Sequence, residues 1–529
     1  MKARQFLLCA GLCGPALSAT AAPVLEGMVI AEQPFRAVTV TVTDSYGLQR
    51  TAVTDNEGRY QLDAQGLSAP LRLSAINTHP WEGVTSQDCL HNDQPRARCM
   101  ASLLPVLDAS RTNIANITPF TDRMVSEIAT ATGYIGPQQW IMAKGIALDT
   151  AQLAAPLARF QAGMHDALVQ VGLVPQHINP VTLPMQPGDG MSQILAVINH
   201  NRGYDNNSGE AAGTILTDIS FRPLVGLQNA GPYEPFDYAR AVKERVAILA
   251  AKTRVMIVSD STAATYEVSR LPRMGWGQVF EQQFAPDSGV VVLNGARAGR
   301  SSRDFYNEGW YQQMARFMRA GDYVLIAHGH NDQNCNSGKP LRGAADVKNL
   351  CTYPNNNKGE RQFPEGHPEM SYQTSLERYI TLARAQGAHP VLLTPTARVK
   401  NARGKTAFVN GDAQPVVSSH HTPAKPGYLF SGDYIASVRK TAADNAVPLL
   451  DLEAATLALA NQHPQDWQTY WLAVDPARYP WYQTQTSGTL ANPDTTHFQQ
   501  KGAETIAALV AGLIRENPQL KSLATQLQP

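Results

Sequence analysis

The sequence predicts an α/β protein whose C-terminal half is a parallel sheet covered on both faces by helices, preceded by a small β module and a helical region. Three observations carry this. Short apolar runs recur after Lys252: "VMIV" (255–258), "VVVL" (290–293), "YVLIAHG" (323–329), "HPVLLTP" (389–395) and "VPLLDL" (447–452). They are continuous rather than alternating, as strands buried on both faces are, and helical segments such as "YQQMARFMR", "SLERYITLARAQG" and "HFQQKGAETIAALVAGLIREN" separate them. Finally, 529 residues exceed one ordinary core, so several domains are expected.

In chain order, residues 1–21 run from Lys2 and Arg4 into an apolar stretch and then small residues, the layout of a secretory signal. The stretch falls short of the ~20 residues a bilayer span needs, so no integral membrane segment is expected after its removal, and the mature chain is expected in the periplasm or outside the cell. Residues 22–108 read as β. Val38, Val40 and Val42 alternate with Thr39, Thr41 and Thr43, and "TDNEGRY" sets a turn between two strands, with Asp55 and Asn56 to close it and Gly58 to take a positive φ. This module resembles the transthyretin-like or carboxypeptidase-regulatory-like β-sandwiches that precede many exported enzymes.

Residues 109–250 read as helical. Thr118 is placed to cap a helix with Pro119 at its first position, and helical spacing returns in "TAQLAAPLARFQAGMHDALVQVGL" and "DYARAVKERVAILAAK", with "HNRGYDNNSGEAAG" as a polar connection. Residues 251–529 hold the alternating strands and helices. In such a sheet the reactive groups belong at the carboxyl ends of the strands.

Charge narrows the partners. Acidic and basic residues are equal at 44 each, which leaves no field to attract nucleic acid or an anionic membrane and points to a small or neutral substrate. Beyond the N-terminal segment the cysteines are Cys89, Cys99, Cys335 and Cys351, an even number in an exported chain. Nearness in sequence pairs Cys89 with Cys99 and Cys335 with Cys351. A four-thiolate zinc site would need close C-x-x-C pairs, and none is present.

Four groups fall where the sheet wants chemistry. Ser261 follows the first strand, Gly299 the second in "NGARAGRSSRDF", Asn331 the third in "HGHND", and Asp494 with His497 precede the last helix in "NPDTTHF". Singly each has a plainer reading: Ser261 as a helix N-cap, Gly299 as a turn, Asn331 as a turn former, Asp494 and His497 as a capping pair. Together they supply acyl transfer. A serine hydroxyl is a poor nucleophile until an imidazole takes its proton, and the imidazole needs a carboxylate to hold its tautomer. The tetrahedral intermediate needs donors, available from the amides of Ser261 and Gly299 and the side chain of Asn331.

"SDST", "NGARAGRSSRDF", "GDYVLIAHGHND" and "DTTH" resemble blocks I, II, III and V of the SGNH (GDSL-type) hydrolases, and among these the rhamnogalacturonan acetylesterases. Thr262, Gly275-Trp276-Gly277, the run Ala298–Ser301, Glu308-Gly309 and a cysteine-bounded loop after Asn331-Asp332 point to that subgroup. The resemblance covers about residues 252–517. It implies a flavodoxin-like three-layer α/β/α fold, Ser261 as nucleophile, His497 as base, Asp494 as its partner, an oxyanion hole of Ser261, Gly299 and Asn331, a Cys335–Cys351 loop beside the site, and neither metal nor other cofactor. One position departs from the family. Where it usually has Gly two residues before the nucleophile, this chain has Ser259.

The expected function is an exported serine esterase removing acetyl groups from a plant cell-wall polysaccharide, with rhamnogalacturonan first and xylan, another acetylated glycan, or lipid and aryl esters as alternatives. A glycan-binding or adhesion protein on the same scaffold is the reading from a different class. Other signals have bland readings beside sharper ones. His328 and His330 read as strand-end packing before metal ligation, and His420 and His421 as solvated or rim histidines of a loop. Arg300 and Arg303 read as surface ion pairs or partners of an acidic sugar, and Trp276 as packing or as a sugar platform.

Overall fold

The computed structural model of the chain describes residues 23–529 apart from 82–85, 91–94, 147–150, 205–210, 227–231, 335–351, 353–355, 357, 359, 361–370 and 422–431. The N-terminal segment 1–21 and the Cys335–Cys351 pairing therefore lie outside the described residues.

The β module is a sandwich of two sheets. Its strands are β1 (Val24–Met28), β2 (Thr39–Thr43), β3 (Gln49–Val53), β4 (Arg59–Asp63), β5 (Leu71–Asn77), β6 (Arg98–Leu104) and β7 (Asn113–Ile114), ordered β4-β1-β7 and β3-β2-β5-β6. Leu25 and Leu62 from one sheet and Val40, Val42, Leu73 and Met100 from the other share one apolar core. Asp55 closes the expected turn by accepting from the amides of Glu57 and Arg59, both at 2.8 Å, and Gly58 takes φ +77°. The strands it joins belong to different sheets, so the turn is a crossing between layers and not a hairpin. Cys89 and Cys99 form a disulfide with Cα atoms 5.9 Å apart. The sandwich also runs further than residue 108, since β7 pairs with β1.

Thr118 caps the helix Pro119–Ala131 in a reciprocal box with Thr121. The expected helices are present at Ala151–Gly163, His165–Gln170 and Tyr238–Ala250, with shorter ones at Pro137–Met142 and Gly190–Leu195, but residues 198–225 depart from the helical expectation. Strands β8 (Ile198–Tyr204), β9 (Ala211–Asp218) and β10 (Pro223–Val225) form an antiparallel sheet ordered β10-β9-β8. The "HNRGY" residues, expected as a connection, are strand. The polar side chains of β8 are buried and paired: His200 Nε2 lies 2.8 Å from Asp122 Oδ2, Arg202 also bonds Asp122, and Asn199 donates to the Asp218 carbonyl at 2.6 Å. A strand held by buried polar partners carries no apolar period to read.

The C-terminal half contains β11 (Thr253–Ser259), β12 (Val290–Asn294), β13 (Tyr323–Ala327), β14 (His389–Leu393) and β15 (Leu449–Leu450), all parallel in the order β12-β11-β13-β14-β15. This is the flavodoxin-like winding. Successive side chains point to opposite faces, so Val255, Ile257, Leu325 and Val391 enter one core with Leu459 and Ile506 of the helices Leu452–Gln462 and Gln500–Glu516. Met256, Val258, Val324 and Leu392 enter the other with Phe305, Trp310, Tyr372 and Tyr434 of four further helices. That second core crosses the boundary expected at residue 250, because Ile215, Phe221, Ala241 and Ile248 belong to it. No helix among the described residues is long and apolar enough to cross a membrane.

Candidate active site

Because β11, β12 and β13 are parallel, the residues that follow them emerge at one end of the sheet. Ser261 comes two residues after β11, Gly299 five after β12 and Asn331 four after β13. Asp494 and His497 reach the same end on the segment before the helix Gln500–Glu516. That segment is pinned by the Leu472 amide donating to the His497 carbonyl (2.8 Å) and the Asp494 amide donating to the Leu472 carbonyl (2.9 Å).

Ser261 Oγ lies 2.8 Å from His497 Nε2, and His497 Nδ1 lies 2.7 Å from Asp494 Oδ2. A carboxylate only accepts, so Nδ1 carries the proton and Nε2 is left to accept from the serine hydroxyl. Asp494 Oδ1 also accepts from the amides of Thr496 (2.8 Å) and His497 (3.1 Å), which anchors the carboxylate beside the ring. Burial alone would raise the Asp494 carboxyl, but the His497 charge and these hydrogen bonds outweigh it and hold the group well below the usual carboxylate range. Burial lowers His497, Arg273 adds to that, and Asp494 opposes both, so the imidazole stays neutral to lower pH than a free histidine.

The serine is held by its neighbours. Asp260, fully buried, accepts at Oδ1 from the amide (3.0 Å) and hydroxyl (2.8 Å) of Thr262, and at Oδ2 from the His330 amide (3.2 Å). The Tyr266 hydroxyl donates to the Ser261 carbonyl at 2.6 Å. Residues 261–263 form a turn and no α-helix follows, so the expected cap role of Ser261 is not realised. The reason lies in the Gly275-Trp276-Gly277 segment, whose amides at Gly275 and Trp276 take the carbonyls of Ala264 and Thr262, both at 3.1 Å. A Cβ on Gly275 would sit 2.3 Å from the Ala263 backbone, so only glycine permits this approach.

Ser259 is accommodated without strain. It ends β11 in ordinary strand pairing, opposite Ala327, and its hydroxyl donates to the Ala327 carbonyl at 2.8 Å. Gly299 takes φ +79°, the left-handed region that favours glycine, and Asn331 Nδ2 donates to the Arg300 carbonyl at 3.2 Å, so the two oxyanion candidates are tied to one loop. Asp332 accepts from the Ser302 amide (3.0 Å) and hydroxyl (2.6 Å), joining the loop after β13 to the helix Ser302–Asn307; burial pushes its carboxyl up to about 7 against those bonds.

Several side signals take the plainer reading, and two are corrected. Trp276 is fully buried and packs edge-on against Phe280, and His328 packs against Phe305 and Tyr379. Arg300 and Arg303 are buried rather than at the surface, paired with Glu308 and Asp304. His420 is likewise buried, 2.8 Å from Glu453 Oε1, with its ring 4.9 Å from that of His330, whereas His421 is exposed. Among the described residues no group of three or more His, Cys, Asp or Glu side chains is placed to hold a metal.

Sequence reading missed Tyr266, Arg273 and Arg398. Arg273 lies over the Tyr266 ring (4.5 Å) and acts electrostatically on Asp494 and His497. Arg398 donates to the His330 carbonyl at 3.3 Å and to Gln333. None of the three stands in a motif, and only the folded chain brings them to the site.

This parallel sheet and its covering helices define a three-layer α/β fold, and the chain belongs to the GDSL-like lipase/acylhydrolase family, whose model matches residues 255–510. It is a carboxylic ester hydrolase. It is 30% identical over 264 residues to the rhamnogalacturonan acetylesterase RhgT of Bacillus subtilis, a match spanning 50% of this chain and 90% of that one. With the probable rhamnogalacturonan acetylesterase YesY of the same organism it shares 29% over 263 residues, 50% of this chain and 92% of that one. The crystal structure of B. subtilis YxiM is 20% identical, with a TM-score of 0.33, covering 50% of this chain and 57% of that one.

Proposed function

We propose that the protein removes acetyl groups from an acetylated pectic polysaccharide, with rhamnogalacturonan as the substrate class, through an acetyl-Ser261 intermediate. The observation that carries the mechanism is the continuous hydrogen-bonded line Asp494–His497–Ser261 at the carboxyl end of the sheet. In the first half-reaction Ser261 Oγ attacks the acetyl carbonyl carbon as His497 Nε2 takes its proton. The tetrahedral oxyanion is received by the amides of Ser261 and Gly299 and the Asn331 side chain. His497 then returns the proton to the sugar oxygen, the ester C–O bond breaks, and the sugar leaves as an alcohol. In the second half His497 takes a proton from water, hydroxide attacks the acetyl-serine, and acetate departs as the proton passes to Ser261 Oγ.

The substrate class rests on the two relatives named as rhamnogalacturonan acetylesterases, and on charge at the site. Arg273 and Arg398 are only partly buried and, among the described residues, form no ion pair. Asp260 and Asp494 are already engaged, the first by the Thr262 turn and the His330 amide, the second by His497. Two guanidinium groups so placed favour an anionic chain over a neutral one. The Cys89–Cys99 disulfide supports action after export, in the periplasm or outside the cell. The test compares acetate release from acetylated rhamnogalacturonan, acetylated xylan and an aryl acetate by the wild type. Preference for the pectic polymer is the expected result; equal turnover of xylan would overturn the substrate assignment.

A further inference from the structure

The family match begins at residue 255, and the relative RhgT is spanned over 90% of its length by half of this chain. Most of the N-terminal half therefore has no counterpart there, yet it contacts the loop that carries Gly299 and to which Asn331 is hydrogen-bonded. Glu308, 3% exposed, is the junction. On the catalytic side its carboxylate accepts from Arg300 Nε at 3.0 and 3.1 Å and from Trp310 Nε1 at 2.6 Å. On the other side Oε1 accepts from the Tyr204 amide of β8 (3.2 Å), and the Glu308 carbonyl accepts from Asn201 Nδ2 of the same strand (3.1 Å). The Arg300 carbonyl in turn accepts from Asn331 Nδ2.

A second tie lies across Gly299. Arg297 Nη2 donates to the Phe221 carbonyl, between β9 and β10, at 2.7 Å, and its guanidinium lies 4.5 Å from the Trp310 ring centroid. Gly299 thus sits between two arginines, one fastened to the β8–β10 sheet directly and the other through Glu308. A glycine loop at φ +79° has no side chain of its own to hold it. Both ties are buried, so water competes little for their hydrogen bonds.

We infer that the β8–β10 sheet is a positioning element for the oxyanion loop, acting through Glu308 and Arg297 on the backbone at Gly299 and on Asn331. The inference rests on the proposed esterase mechanism and deepens it. Catalytic stabilisation depends on donors fixed before charge develops, so loosening their support lowers turnover and leaves ground-state binding largely intact.

The test uses full-length protein. Asn201→Ala removes one side-chain bond to Glu308, and among the described residues Asn201 Oδ1 has no partner to lose. The expected result is a kcat lower by about 10-fold at nearly constant KM, short of the ~10²–10³ expected for deleting an oxyanion donor itself. Kcat is counted per active site titrated with a serine-directed phosphonate, and affinity for a boronate that mimics the tetrahedral adduct falls with it. Glu308→Gln, which keeps the shape and spoils the pairing with Arg300, gives the same pattern and serves if Asn201→Ala does not fold. Glu32→Gln is the control. It loosens the same junction, where Glu32 bridges Arg98 (2.6 Å) and Arg316 (3.0 Å), without touching Glu308, and lowers stability with kcat per titrated site unchanged. Unchanged kcat and boronate affinity in both Asn201→Ala and Glu308→Gln overturns the inference, as does an equal kcat loss in Glu32→Gln. Full turnover in Ser261→Ala would instead overturn the esterase mechanism beneath it.

Discussion

Replacing Ser259 by Gly restores the residue the family usually carries two positions before the nucleophile, and the structure gives an outcome opposite to the one that substitution suggests. Ser259 is fully buried at the end of β11, in ordinary strand geometry, with its hydroxyl on the Ala327 carbonyl at 2.8 Å. Losing that bond costs about 0.5–1.5 kcal/mol. Glycine inside a strand costs a further ~0.5–1 kcal/mol in backbone entropy. The variant is therefore expected to be less stable by about 1–2.5 kcal/mol, with kcat on an aryl acetate within about twofold of wild type, since neither the Asp260 contacts nor Tyr266 is touched. Urea unfolding with unchanged slope reads the stability, and initial rates read kcat. A several-fold rise in kcat at unchanged stability would refute the reasoning, because it would mean the serine side chain had been displacing Ser261.

Other perturbations have equally definite outcomes. Arg273→Gln removes a cation that lowers His497. The rate is lost as pH falls through the pKa of His497, where the protonated ring no longer accepts from Ser261, so the acid limb of kcat/KM on a neutral aryl acetate moves to higher pH; an unmoved limb contradicts the assignment. Arg398→Gln raises KM for an acidic polysaccharide by about tenfold and leaves the aryl acetate unchanged, the loss expected for one charge-assisted hydrogen bond of ~1.5 kcal/mol; equal effects on both substrates would deny it a role in recognising charge. Tyr266→Phe frees the Ser261 carbonyl from its 2.6 Å donor and costs about 1–3 kcal/mol of stability, read by urea unfolding, with kcat falling more than KM rises. Reducing the Cys89–Cys99 disulfide, a loop with sequence separation 10, lowers the unfolding free energy by about 3 kcal/mol.

The legible parts of this chain were those written in apolar period or in short motifs. Each of the five parallel strands lies within its continuous apolar run or overlaps it, because a strand buried on both faces has no other way to appear in sequence. Ser261, Gly299, Asn331, Asp494 and His497 could be picked out because strand ends dictate where such groups must stand, and the structure gathers them at one end of the sheet. The β8–β10 sheet was not legible. Asn199, His200, Asn201 and Arg202 are buried polar residues whose partners, among them Asp122 and Glu308, lie far away in sequence. Arg300 and Arg303 misled for a different reason: their partners Glu308 and Asp304 are close in sequence, but a buried ion pair reads like an exposed one until the fold covers it. The Ser261 turn looked like a helix start because serine is a favoured N-cap residue, whereas the amides at 275–276 claim the carbonyls that a helix would use.

The central claim is that Ser261 carries the acyl group. Wild-type enzyme mixed with an aryl acetate, quenched in acid during turnover and digested, should show an acetyl adduct on the peptide containing Ser261 by mass spectrometry, and a folded Ser261→Ala variant should show neither adduct nor turnover. An adduct on another residue, or acetate release by Ser261→Ala at the wild-type rate, would contradict the account.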